Sequence, residues 1–91
     1  MPFPIKFATE APTNKTRAQW ALESLEVFAS STSSIDNLNK EPDEVLTDLL
    51  CDLEHWANQN DISFDDCVAH GKAHFDAEIE GEKEAVGWDL Y

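Results

Sequence analysis

Apolar residues recur at helical spacing along most of the chain, and this pattern predicts three main helices. In segments 15–29, 42–58 and 63–79 the apolar positions share one face at about 100° per residue. The predicted faces comprise Ala18, Ala21, Leu22, Leu25, Phe28 and Ala29 in the first helix, Val45, Leu46, Leu49, Leu50, Leu53, Trp56 and Ala57 in the second, and Phe64, Val68, Phe75 and Ile79 in the third. Packing of these faces predicts a helical core.

Polar segments supply the boundaries of the predicted helices. Thr13 or Asn14 is suited to capping the N-terminus of the first helix. The segment SSTSSIDNLNKE predicts a loop with one helical turn after Ser34. Ser63 begins the third helix, where Ser63-x-x-Asp66 resembles a capping box with Asp in place of Glu.

Both ends of the chain depart from the helical pattern. PFPIKF predicts an extended segment, either a short strand or an arm laid over the core, because its two prolines fix the backbone and disfavour helix before them. EGEKEAVGWDLY, which is acidic and interrupted by glycine, predicts an extended tail able to dock through its apolar end. We therefore predict a mostly all-α protein: one domain over residues 1–91, a small three-helix domain with an extended N-terminal arm and a C-terminal tail.

A second apolar stripe lies on the first helix. Trp20 and Val27 fall on the side opposite to its main apolar face. Exposure of both apolar side chains to water is unfavourable, so the arm, the tail or a second chain is expected to cover them. This association stripe supports one functional alternative, a structural or oligomerising helical module that forms a homodimer.

The charge is the most informative feature of the composition. The formal net charge is −13, and three Trp and five Phe argue against a disordered acidic chain. Residues 1–40 carry four acids and four bases, whereas residues 41–91 carry fifteen acids against Lys72 and Lys83. Such a field repels nucleic acid and anionic membranes and attracts basic surfaces. The expected partner is a basic protein of the nucleic-acid-binding kind.

The remaining composition indicates a cytoplasmic protein. No apolar run approaches the roughly 20 residues of a membrane span. The opening MPFPIKFATEAP lacks a charged segment followed by an apolar one, so a secretory signal is not predicted. Two cysteines in such a chain are expected to be free thiols in a reducing compartment.

The window CDLEHWANQNDISFDDCVAHGKAH contains both cysteines and all three histidines. On the helical pattern, Cys51 and His55 fall on the polar face of the second helix, whereas Cys67 and His74 flank the stripe of the third. His70 lies further from that stripe, and a tight Cys-x2–4-Cys knuckle is absent. We predict no metal site and no cofactor. No Gly-rich phosphate loop or G-x-S-x-G elbow is present, and the protein is predicted to be non-catalytic.

One enzymatic alternative rests on Glu44, Asp48 and Asp52, which recur every four residues on one helical face. Oxygen ligands at that spacing could hold magnesium. The stretch DEVLTDLLCDLEHWANQNDISFDD resembles nucleotide pyrophosphohydrolases of the MazG type, which bind magnesium through carboxylates on paired helices. The resemblance implies magnesium-dependent nucleotide hydrolysis. The paired E-x-x-E motif of that family has no clear counterpart around Glu23 and Glu26.

A second resemblance covers about a third of the chain. The segment LTDLLCDLEHWANQNDISFDDCVAHGKAHFDAE resembles small acidic proteins of bacterial phages and mobile elements, through D-L-L-x-D-L-x-H-W, a short turn, I-x-F-D-D and A-x-x-H-[FY]. The resemblance implies an anti-defence inhibitor of the anti-CRISPR or DNA-mimic kind, acting in a host cytoplasm.

The leading prediction is therefore a non-catalytic acidic protein that binds and inhibits a basic, nucleic-acid-binding partner. Carboxylates one helical turn apart, about 5–6 Å, approximate the spacing of phosphates along a strand. The predicted partner-binding residues are Glu44, Asp48, Asp52, Asp65, Asp66, Asp76, Glu78, Glu80 and Glu82.

Overall fold

The protein is described by a computed structural model that covers the backbone of residues 12–89 and the side chains of residues 12–83. This part of the chain forms four helices: α1 (Asn14–Ser31), α2 (Ile35–Lys40), α3 (Pro42–Gln59) and α4 (Phe64–Asp89). It contains no β-strand, which confirms the predicted all-α class. The predicted N-terminal arm lies outside the described residues.

Helix α1 begins where the sequence predicts. Thr13 is extended, with ψ 168°, and its hydroxyl oxygen accepts a hydrogen bond from the Thr16 amide at 3.1 Å. The helix ends when the Thr32 amide donates to the Phe28 carbonyl at 3.0 Å. Ser33 then adopts a left-handed backbone conformation with φ 59°, which ends the helix and reverses the chain into α2.

The predicted helical turn after Ser34 is the short helix α2. Glu41 separates it from α3, and the Glu41 amide donates to the Asn37 carbonyl at 2.6 Å. Pro42 occupies the first turn of α3, where a missing backbone N–H removes no intrahelical hydrogen bond. Glu41 is therefore the single residue that connects the two helices.

A tight turn joins α3 to α4. The amides of Asn60 and Ile62 both donate to the Ala57 carbonyl, at 3.1 and 2.9 Å, and Asp61 between them has a left-handed φ of 57°. The Ser63 hydroxyl accepts from the Asp66 amide at 3.2 Å, as the capping pattern predicts. These bonds satisfy backbone groups that the two helix ends would otherwise leave unpaired.

Helix α4 continues well beyond Ile79 and differs from the expected extended tail, because residues 80–89 are helical. Glutamate, lysine and alanine dominate its later turns and favour helix, whereas each glycine costs about 1 kcal/mol relative to alanine. A tertiary contact also holds this part, since the Asn14 amide of α1 donates to a Glu82 carboxylate oxygen at 2.9 Å. Leu90 and Tyr91 lie outside the described residues.

The helices pack loosely. Of the described side chains, the buried apolar ones are Ala29, Val45 and Ala57, which are all small. The radius of gyration is 16.4 Å, whereas a compact domain of this length has about 12 Å. Most side chains of the predicted core faces are therefore only half-covered, which corrects the expectation of a closed helical core.

Candidate interaction surface

The acidic face of α3 consists of Glu44, Asp48 and Asp52. They are four residues apart, so the helical repeat brings them onto the same side of α3 in successive turns. All three side chains are exposed. The sequence therefore predicted this face correctly as a row of solvent-facing carboxylates.

Among the described residues, no ion pair involves the carboxylates of this face. The pKa of Glu44 is raised above its usual value, mainly by a side-chain hydrogen bond with Glu41 and by the charge of Glu41. Partial desolvation and the charges of Asp43 and Asp48 add to this shift. The neighbouring carboxylates thus make the Glu44 carboxyl group harder to ionise. A cation brought to this face would relieve that repulsion.

An open depression of about 390 Å³ adjoins the acidic face. Asp48 and Asp52 form one side of it, and the turn after α1 forms the other. The lining residues are Phe28, Thr32, Ser33, Ser34, Asn37, Asp48, Cys51 and Asp52. The turn contributes hydroxyl and amide groups opposite the carboxylates, so the depression offers both hydrogen-bond donors and acceptors. Spacing along the sequence did not predict this feature, because it depends on how α1 meets α3.

The predicted acidic residues of α4 divide into two groups. Asp65, Asp66, Asp76 and Glu80 are exposed. Asp76 pairs with Lys72 one turn earlier, with a distance of 3.2 Å between the Lys72 nitrogen and the carboxylate oxygen. Such an exposed pair contributes little to stability, so these side chains are available to a partner.

Glu78 and Glu82 form the second group, and both contact α1. The Glu78 carboxylate lies 3.4 Å from the Arg17 guanidinium, and the Asn14 side-chain amide donates to the Glu78 carbonyl at 3.1 Å. Glu82 accepts from the Asn14 backbone amide. These two carboxylates hold α1 and α4 together, a role that the sequence did not reveal because their contacts, Arg17 to Glu78 and Asn14 to Glu82, join residues 61 and 68 positions apart.

The exposed apolar surface is larger than predicted. Trp20 and Val27, the predicted association stripe, are 52% and 68% exposed. Large residues of the predicted core faces are exposed as well: Leu22, Leu46, Leu50, Leu53, Trp56, Val68, Phe75 and Ile79. The helices expose apolar area on several sides, and the predicted association stripe is only a part of it.

The cysteines and histidines do not assemble into one site. Cys51 and Cys67 are exposed free thiols, and His55, His70 and His74 are exposed. Within residues 12–83, no three side chains of His, Cys, Asp or Glu lie close enough together to hold a metal ion. Cys51 and His55 instead border a shallow depression of about 360 Å³ on α3.

Comparisons with protein-family models, with curated proteins and with solved structures found no match to this chain. Among the described helices, none is both long enough and apolar enough to cross a membrane.

Proposed function

We propose that this chain is a non-catalytic acidic binding protein that occupies the nucleic-acid-binding surface of a basic partner protein and blocks it. The observation that carries the proposal is the exposed row of Glu44, Asp48 and Asp52 on α3, where a side-chain hydrogen bond with Glu41 and the charges of neighbouring carboxylates raise the pKa of Glu44. Repulsion of this kind destabilises the isolated fold. A basic partner removes it, so the same charges that oppose folding favour association.

The geometry supports a phosphate-like mode of contact. Residues four apart on a helix are about 5–6 Å from one another, which is near the separation of successive phosphates along a strand. Exposed carboxylates of α4, such as Asp65 and Asp66, extend the negative surface beyond α3. Lysine and arginine side chains that bind a nucleic-acid backbone would meet a similar spacing and sign of charge here.

The test begins with capture of a partner from bacterial lysate and its identification by mass spectrometry. Binding to that partner is then measured for wild type and for an Asp48→Lys, Asp52→Lys double variant. A matched control, Glu23→Lys with Glu26→Lys, changes the net charge equally at exposed positions on α1. We expect the α3 variant to lose at least tenfold in affinity and the α1 control to lose much less.

Two further measurements distinguish phosphate mimicry from apolar docking. Affinity should fall as salt concentration rises, because exposed charges are screened. Double-stranded DNA should also compete with the wild-type protein for the partner. Salt-insensitive binding that both charge-reversal variants retain, and that DNA does not displace, would overturn the proposal.

A further inference from the structure

Trp56 continues the acidic face of α3. The three carboxylates of that face follow one another at intervals of four residues, and Trp56 is the next position at the same interval. Residues four apart share a side of a helix, with about 5–6 Å between their Cβ atoms. The row therefore passes from three carboxylates to an indole ring, over a helical rise of about 18 Å from Glu44 to Trp56.

The Trp56 side chain is largely open to solvent. It is 59% exposed, more than any other large apolar residue of α3. A large aromatic side chain has about 150–250 Å² of surface, so on the order of 100 Å² of the indole lies in water. Exposure of that area is unfavourable, and a partner that covers the ring removes it from water.

The carboxylate next to the ring has no cation of its own. Helix α3 contains five acids and neither lysine nor arginine. Among the described residues, no ion pair involves Asp52 and no cation lies over the Trp56 ring. Asp52 is also exposed. The described part of the chain therefore presents a carboxylate beside an aromatic ring, and both are open to a cation from another molecule.

An arginine side chain matches this pair of groups more fully than a lysine side chain does. The guanidinium is planar and weakly hydrated, and it has N–H donors along its edge. One guanidinium can therefore stack its face on an indole while its edge donates to a carboxylate one helical turn away. The ammonium of lysine is compact and strongly hydrated, so it forms the ion pair but gains less from the ring.

We propose that Asp52 and Trp56 form a site for an arginine side chain of the basic partner, with the guanidinium stacked on the indole and bonded to the carboxylate. This inference rests on the proposed function and specifies the chemistry of its partner. Glu44 and Asp48 attract bases of either kind, whereas the Trp56 end of the row selects arginine. Tryptophan and arginine are also the residues most enriched among those that dominate binding energy at protein interfaces.

Two peptides of equal charge test the preference for arginine. The probes are hexa-arginine and hexalysine with blocked termini, titrated at low salt, where exposed charges are least screened. We expect wild type to bind hexa-arginine about three- to tenfold more tightly than hexalysine, which is the range that a cation–π contact provides. Trp56→Ala should lose most of this preference, whereas Trp56→Phe should keep part of it because it retains an aromatic ring.

Trp20→Ala is the matched control. Trp20 is 52% exposed, but it lies on α1, whose two acids are matched by two bases. This variant should keep the full preference for hexa-arginine. Circular dichroism checks that each variant retains its helicity.

Fluorescence locates the contact. Trp20→Phe with Trp88→Phe leaves Trp56 as the single tryptophan, and Trp56→Phe with Trp88→Phe leaves Trp20. Hexa-arginine should protect the first chain from quenching by acrylamide and leave quenching of the second chain unchanged.

Equal affinity of wild type for the two peptides would overturn the inference, and so would an equal loss of arginine preference in Trp56→Ala and Trp20→Ala. The Asp48→Lys, Asp52→Lys variant separates this failure from failure of the proposed function. If both peptides bind wild type equally and that variant weakens both, the acidic face stands and only the arginine site fails. If the captured partner also binds that variant as tightly as it binds wild type, the proposed function fails too.

Discussion

Asn14 connects the start of α1 to the later turns of α4, and its replacement tests whether these contacts stabilise the packing of the two helices. Its side-chain amide donates to the Glu78 carbonyl at 3.1 Å, and its side-chain oxygen accepts from Arg17 at 2.6 Å. Arg17 in turn lies 3.4 Å from the Glu78 carboxylate. Asn14→Ala removes both side-chain hydrogen bonds, so Arg17 loses the acceptor that helps to orient its guanidinium towards Glu78.

The expected loss of folding stability follows from the number of hydrogen bonds that Asn14→Ala removes and from their exposure to solvent. Each hydrogen bond contributes about 0.5–1.5 kcal/mol net, so two of them amount to roughly 1–3 kcal/mol. The Arg17–Glu78 pair is about one-third exposed on each side, so its own contribution is at most about 1 kcal/mol. For a domain of 60–100 residues, 1 kcal/mol shifts Tm by about 4–8 °C. We expect Asn14→Ala to lower Tm by about 4–24 °C.

Thermal unfolding followed by circular dichroism measures this effect. Asn58→Ala is the matched control, because Asn58 is an exposed asparagine on α3 for which no side-chain hydrogen bond is found among the described residues. Amide hydrogen exchange should show faster exchange after Asn14→Ala in the later turns of α4, beyond Glu78. Equal melting temperatures for the two variants, with unchanged exchange in α4, would refute the role given to Asn14.

Three other predictions concern local features. Glu44→Gln should raise Tm at pH 7, because it removes one of the repelling carboxylates around Glu41. Folding raises the pKa of Glu44, so the folded state binds protons more tightly than the unfolded state; stability from this group is present at low pH and is lost as pH rises through the raised pKa. Tm of wild type should therefore increase as the pH falls from 7 to below the usual carboxyl pKa of 4.5, and less steeply in Glu44→Gln; a parallel dependence would contradict this assignment. Thr13→Ala should cost about 1 kcal/mol by removing the N-cap of α1, whereas Thr13→Ser should restore most of it in the same melting assay, and equal losses in both would argue against a cap. Purified protein should contain no stoichiometric zinc by elemental analysis, and EDTA should leave Tm unchanged; zinc near one per chain, lost together with the fold, would contradict the interpretation of Cys67 and His74.

Local signals explain why the helices could be located from the sequence. Thr13, Pro42 and Ser63 act on backbone groups within three or four residues, and amphipathic spacing has a period of 3.6 residues. Helix positions therefore depend on short segments that can be read one at a time. The acidic face of α3 was predictable for the same reason, since residues four apart share a side of any helix.

The extent of burial was decided by tertiary structure. Val45 and Leu46 are neighbours on the same predicted apolar face, yet Val45 is 1% exposed and Leu46 is 47% exposed. Periodicity identifies the face of a helix but does not specify whether another helix lies against it, or at what height.

Composition and short-range spacing were enough to predict the helical class, the main helix starts and the concentration of negative charge in residues 41–91. The contacts of Glu78 and Glu82 with α1, and the open depression beside Asp48 and Asp52, could be seen only in the folded arrangement. The physical reason is that these contacts join residues far apart along the chain. Their formation depends on the angles at which the turns at Ser33 and Asp61 direct the helices.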